Sequence, residues 1–201
     1  DYKEYSYSDK ILNEVKAEAD TFIEKEILRN LSLLRIPILS EESGHLYKDF
    51  YSEYLFIIDP LDGTVNYVRG IGPCAISIAL WKNNKPIFGV IYDLSSKKLI
   101  WGGKSFGAYC DGKVISVSST LDKNKAILCT GFPVRYDMNL DNAAQDFWDL
   151  VSPYSKVRML GSASISLVTL AMGKSDAYLE KNIMLWDVAA GLAIIEGAGG
   201  K

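Results

Sequence analysis

The chain has 201 residues, enough for one large domain or for two compact units packed together, and its 48% apolar and 23% charged residues are the mix of an ordinary globular protein. A net charge of −3 gives no electrostatic case for nucleic acid or an anionic membrane as the main partner. No apolar run is long enough to span a bilayer, and a single histidine, His45, removes every multi-histidine metal site. Cys74, Cys110 and Cys129 form no Cys-x-x-Cys pair and are expected to be reduced, mostly buried thiols. With no secretory leader visible at the start, the expected location is cytoplasmic.

Apolar residues at Ile11, Val15, Ala19, Phe22, Ile23 and Ile27 predict an amphipathic helix over 9–30. A short strand over 36–39 leads into the loop Ser40-Glu41-Glu42-Ser43-Gly44, with His45 on the surface behind it. Residues 54–58 read as a buried strand that Pro60 ends. Strands follow over 74–81, 87–93, 98–101 and 106–110, and Asp111-Gly112 turns the chain into Val114–Val117. This is an antiparallel meander. Beyond it, a strand over 126–130 breaks at Gly131-Phe132-Pro133, a helix occupies 141–151, and a strand spans 156–160. Ser162 or Ser164 caps a helix that stops at Gly173, a strand covers 176–180, and a helix runs from Trp186 to Glu196. The expected division is an N-terminal α+β region over 1–125 carrying the meander, then a smaller mixed αβ region over 126–201.

Three acidic spots stand at ends of elements, where loops gather in layered folds. In Asp59-Pro60-Leu61-Asp62-Gly63-Thr64 a turn is expected to bring Asp62 back beside Asp59. Two close carboxylates raise each other's pKa unless a cation lies between them, and hard oxygen ligands suit Mg²⁺. A helix starting near Thr64 would point free N–H groups at an anion. Read alone, the motif fits a helix cap at Asp62 as well as a metal site. Asp187, ahead of Val188-Ala189-Ala190, fits a cap, and Glu41-Glu42 fits a solvated loop. The three together favour a metal.

DPLDGTVNY (59–67), with EESG upstream, RMLGSAS and DAYLE between, and WDVAAGLAIIEGAGG downstream, resembles the inositol monophosphatase family from about Asp9 to the last residue. The resemblance implies a layered α-β-α-β-α sandwich and an Mg²⁺-dependent, lithium-sensitive phosphatase, commonly a homodimer. It implies a two- or three-metal, water-nucleophile mechanism, with ligation on Glu41, Asp59, Asp62, Asp187 and the Leu61 carbonyl. Asp59 would bridge two metals, Asp187 would complete the second site with Asp59 and Asp62, and a third, weaker Mg²⁺ would lean on Glu41. Thr64 and Glu41 would hold the attacking water, with Asp20 accepting a hydrogen bond from Thr64. Gly63 and Thr64 would offer backbone donors to phosphate. Gly161, Ser162, Ala163 and Glu180 would meet the polyol, with Arg158 a weaker contact and Trp186 packed beside the site. Asp20 and Glu24 match the family's Asp-x-x-x-Glu pattern on the first helix, although Ala17 departs from the threonine usual three residues before that aspartate.

Inside the family the implied substrate is an inositol monophosphate or a related polyol or sugar phosphate, with fructose 1,6-bisphosphate as an alternative. Val65-Asn66-Tyr67 is unlike the branch that hydrolyses adenosine 3′,5′-bisphosphate. A non-catalytic regulatory relative that binds metal is the other alternative. The family also continues beyond the AGG motif into strands that complete the second sheet, so an open sheet edge is expected here.

Overall fold

The computed structural model describes residues 18–132 and 143–201. Helix α1 covers 18–31; the stretch of the predicted first helix before residue 18 lies outside the described residues. Three strands follow: β1 (Ile38–Ser40), β2 (Gly44–Leu46) and β3 (Tyr54–Asp62). After the short helix α2 (Thr64–Arg69) the meander runs through β4 (Ala75–Lys82), β5 (Lys85–Asp93), β6 (Lys98–Gly103), β7 (Gly107–Cys110) and β8 (Lys113–Val114). All eight strands form one sheet in the order β2-β1-β3-β4-β5-β6-β7-β8. Every pairing is antiparallel except β1 with β3.

The second half alternates strands and helices: β9 (Ile127–Cys129), α3 (Ala143–Val151), β10 (Lys156–Arg158), α4 (Ala163–Ala171), β11 (Ala177–Tyr178) and α5 (Leu185–Gly197). Its three strands pair in parallel in the order β10-β9-β11. The fold is an α+β layered sandwich. Among the described residues no helix is long and apolar enough to cross a membrane, and all three cysteines are free and buried.

The burial of β3 explains its sequence. Phe56 and Ile58 pack with Ile38 against Ile27, Leu28 and Leu31 of α1. Ile57 points to the opposite core, shared with α4 and α5. A strand covered on both faces reads as an unbroken apolar run rather than an alternation. Helix α5 is likewise apolar on all sides, because the large sheet lies on one flank and α4 on another. It approaches very closely: a Cβ on Gly89 of β5 would stand 2.2 Å from the Ala190 carbonyl oxygen. That core draws on residues either side of 125.

Two sequence readings need correcting. Pro60 does not end its strand, and no turn folds Asp62 back beside Asp59. β3 continues through Pro60 to Asp62, and its register against β4 shifts between Asp59 and Asp62. At such a bulge the ladder is interrupted, so the missing proline N–H is tolerated. Gly44 and His45, read as loop, belong to a strand, Gly44–Leu46, that pairs with β1, and His45 stays exposed on it.

Candidate metal centre

Three carboxylates from distant regions of the chain converge. Glu41 follows β1, and its N–H donates to the Ile58 carbonyl (3.2 Å), which holds it next to the end of β3. Asp59 is fully buried within β3; its Oδ1 accepts from the Leu61 N–H (3.0 Å), and its Oδ2 is buried with no hydrogen-bond partner. Asp187 lies in the first turn of α5; the N-cap is Met184 rather than Asp187, whose Oδ2 reaches back from the third helical position to accept from the Met184 N–H (3.0 Å). One carboxylate oxygen from each of Glu41, Asp59 and Asp187 lies within 4.8 Å of the other two.

Burial, followed by repulsion from Asp62 and Glu41, pushes the Asp59 carboxyl well above the usual carboxylate range. A hydrogen bond with the Glu41 carboxylate pushes in the same direction. Ionised carboxylates only accept hydrogen bonds, so that bond lasts only while one of the pair carries a proton. The orphaned Asp59 oxygen and an all-oxygen donor set fit a hard divalent cation.

Asp62 stands outside this trio and caps a helix, though not its neighbour. The N-cap of α2 is Gly63, with no side-chain cap. Asp62 instead accepts from the Ser162 hydroxyl (2.6 Å) and from the N–H groups of Ser164 (2.6 Å) and Ala163 (3.3 Å) at the start of α4. Ser162 is itself the N-cap of α4, accepting from the Ile165 N–H at 3.2 Å. Burial raises the Asp62 carboxyl to about 6 even though the Ser162 and Ser164 bonds pull it down. Gly63 makes this approach feasible. Its φ is +81°, and a Cβ there would meet the Pro73 carbonyl oxygen at 2.9 Å and that of Gly161 at 3.1 Å.

The Thr64 hydroxyl donates to the Leu61 carbonyl (2.9 Å). It carries one proton, so the expected bond to Asp20 requires the hydroxyl to turn. Asp20 itself is buried in α1. Glu180 follows β11 and accepts from the Tyr178 hydroxyl (2.7 Å). Burial, then Glu180, pushes the Tyr178 phenol up, and Asp62 and Asp187 lie close enough to add to it. Gly131 faces the Glu180 carboxylate, where a Cβ would stand 2.2 Å from Oε1. Arg158 donates from Nη1 to the neighbouring Val157 carbonyl (2.9 Å) at the surface. Trp186 packs beside the core with its indole N–H buried and unpartnered.

A match to the model of the inositol monophosphatase family covers residues 2–201. The chain belongs to the inositol monophosphatase family. It is 38% identical over 149 residues to the fructose-1,6-bisphosphatase/inositol-1-monophosphatase of Aquifex aeolicus, covering 74% of this chain and 56% of that protein. It is 34% identical over 186 residues to the Nus factor SuhB of Xylella fastidiosa, covering 92% of this chain and 66% of that protein. Among solved structures, the inositol monophosphatase from Anabaena (Nostoc) superposes with a TM-score of 0.83 at 38% identity, over 96% of this chain and 77% of that one. The chain thus spans little more than half the length of the first of these relatives.

Two residues within the family motifs carry structural roles that the sequence reading did not assign to them. Glu24 of α1 is buried and accepts hydrogen bonds from both serines flanking Glu41-Glu42. Asn66 of α2 donates from Nδ2 to the carbonyls of Pro73 and Leu160, both at 2.8 Å, which ties the Gly161–Ala163 segment to α2. The sequence signal for Glu24 is its place in the Asp-x-x-x-Glu pattern that also marks Asp20, one helical turn on and on the same face.

Proposed function

We propose that this protein is an Mg²⁺-dependent phosphomonoesterase acting on inositol monophosphate and related polyol or sugar phosphates. The observation that carries the reading is the buried, unpartnered oxygen of Asp59 set among the carboxylates of Glu41 and Asp187. Glu41, Asp59, Asp62, Asp187 and the Leu61 carbonyl would hold the metal, with Asp62 keeping its bonds to α4 or exchanging one of them for the ion. When bound, Mg²⁺ supplies a Lewis acid that activates water and offsets the charge developing on the phosphoryl group and the leaving oxygen.

The chain's own groups do the rest. Glu41 and Thr64 hold the attacking water in line with phosphorus. The N–H groups of Gly63 and Thr64 receive phosphate oxygens beside α2. Glu180 accepts from a polyol hydroxyl, and Tyr178 fixes its orientation through the 2.7 Å bond. Gly161, Ser162 and Ala163 present backbone to the same substrate, positioned by Asn66 and Asp62. A cytoplasmic homodimer belongs to this reading, and the three unbridged, buried cysteines support a reducing compartment.

The test is phosphate release from myo-inositol 1-phosphate, fructose 1,6-bisphosphate and adenosine 3′,5′-bisphosphate, with and without Mg²⁺. The expected result is Mg²⁺-dependent release from the first two, reduced roughly 100-fold or more by Asp187→Asn, since losing a ligand costs at least as much as losing a supporting group. Unchanged turnover in Asp187→Asn would refute the site. The similarity to a Nus factor favours one second reading, a regulatory protein that binds metal without turning over. Saturable Mg²⁺ binding with no phosphate release from any of these esters would select it.

A further inference from the structure

Glu24 has no role in the chemistry above, yet its surroundings connect it to the metal centre. It sits on α1, 7% exposed. Its Oε1 accepts from the Ser40 hydroxyl and from the Ser43 N–H (3.1 Å), and its Oε2 accepts from the Ser43 hydroxyl (2.8 Å). Ser40 ends β1 and Ser43 precedes β2, so the two serines bracket Glu41 and Glu42 on either side. The Glu41 N–H is fixed at the same time to the Ile58 carbonyl, one residue ahead of Asp59. The loop bearing Glu41 is therefore clamped from two directions, by the neighbouring strand and by a helix on the outer face of the sheet.

A carboxylate is the side chain suited to this position. It offers two acceptor oxygens and no donor, and the loop presents three donors. Glutamine has the same size but turns an NH₂ group toward one of the serines. Mg²⁺ demands near-ideal octahedral geometry, so a ligand displaced by a few tenths of an ångström binds it less well.

We propose that Glu24 is a positioning residue: it sets the Glu41 carboxylate against Asp59 and Asp187 and thereby sets the Mg²⁺ affinity of the centre. This rests on the Mg²⁺ reading given above. Docking of α1 and metal binding are then coupled, although α1 supplies no ligand to the trio.

The test is an Mg²⁺ titration of the whole chain, read by thermal stabilisation and by calorimetry, on wild type, Glu24→Gln, Ser43→Ala and Ile27→Ala. Ile27 packs α1 on the core and touches none of the loop's hydrogen bonds, so Ile27→Ala reports generic loosening of the helix. Glu24→Gln is expected to raise the half-saturating Mg²⁺ concentration about 10–100-fold, the usual effect of removing a group that orients a ligand. KM for substrate at saturating Mg²⁺ should stay unchanged. Ser43→Ala, which removes one of the three donors and is the milder change should Glu24→Gln fail to fold, should move the midpoint the same way by a smaller factor. Ile27→Ala should lower Tm and leave the midpoint in place. A wild-type midpoint in Glu24→Gln or Ser43→Ala, or an equal displacement in Ile27→Ala, would overturn the positioning role alone. No saturable response in wild type would overturn the metal reading, and the positioning role with it.

Discussion

The metal-free protein should lose stability as pH rises from 4 to 7. Asp62 is the group that makes this quantitative. Its carboxyl titrates at about 6 in the fold against 3.8 for an exposed aspartate. Between those values the folded chain binds more protons than the unfolded one, so raising pH favours unfolding. A difference of about two pH units at 1.36 kcal/mol per unit is roughly 3 kcal/mol, of which about 2 kcal/mol is still present at pH 4.5 and almost none at pH 7.5. For a chain of this size a loss of about 2 kcal/mol corresponds to a fall in Tm of roughly 4–8 °C. Asp59 acts in the same direction, since its carboxyl is also raised. The assay is thermal melting in EDTA from pH 4.5 to 7.5 on wild type and Asp62→Asn. The variant has no charge to titrate at this position, so the stability of wild type relative to Asp62→Asn should drop by about 2 kcal/mol across the window. If the centre takes Mg²⁺ as proposed, saturating Mg²⁺ at pH 7 should restore most of the loss, because a cation that binds the ionised carboxylates stabilises the fold. A difference between the two proteins that is flat, or that grows in favour of wild type with pH, would refute the burial argument for Asp62.

Two packing predictions follow from positions where a side chain has no room. Gly131→Ala would push its Cβ into the Glu180 carboxylate; if Glu180 binds a polyol hydroxyl, KM should rise about 10–100-fold, the equivalent of a lost charge-assisted hydrogen bond, with kcat less affected. Steady-state kinetics on the preferred substrate checks it, and an unchanged KM would remove Glu180 from the substrate site. Gly89→Ala would bring a methyl to 2.2 Å from the Ala190 carbonyl oxygen, and overpacking a backbone contact of this kind should cost about 3 kcal/mol in urea denaturation. A loss below about 0.5 kcal/mol would mean that α5 rides more loosely on β5 than the structure shows.

What the sequence disclosed was local. The run Leu55–Ile58 marked β3, the meander was bounded by its own turns, and Ser162 was among the caps foreseen for α4. What it concealed depended on partners far along the chain. β2 has almost no apolar pattern of its own and becomes a strand because β1 pairs with it. Pro60 looks like a strand ending until the register shift against β4 is known. Asp62 looked like a cap for the helix that follows it, and its real partner is a helix N-terminus 100 residues downstream. Glu24 sits among lysines and glutamates that suggest a solvated face, and only the docking of α1 on the sheet buries it. Glu41, Asp59 and Asp187 were each ambiguous as isolated motifs; the fold brings them together by setting the end of β1, the bulged stretch of β3 and the start of α5 at one corner.

The position of α5 has a consequence for how the protein is made. The meander is complete at β8, which ends at Val114, but the helix that covers its inner face begins only at Leu185. During synthesis, Ala75, Ala79, Ile91 and Ile100 must wait uncovered while the intervening chain leaves the ribosome, a period in which such a sheet is open to chaperones and to aggregation. Asp59 waits as well, because Asp187 arrives on that same helix. A cation held between them would therefore mark a nascent chain that has closed its core.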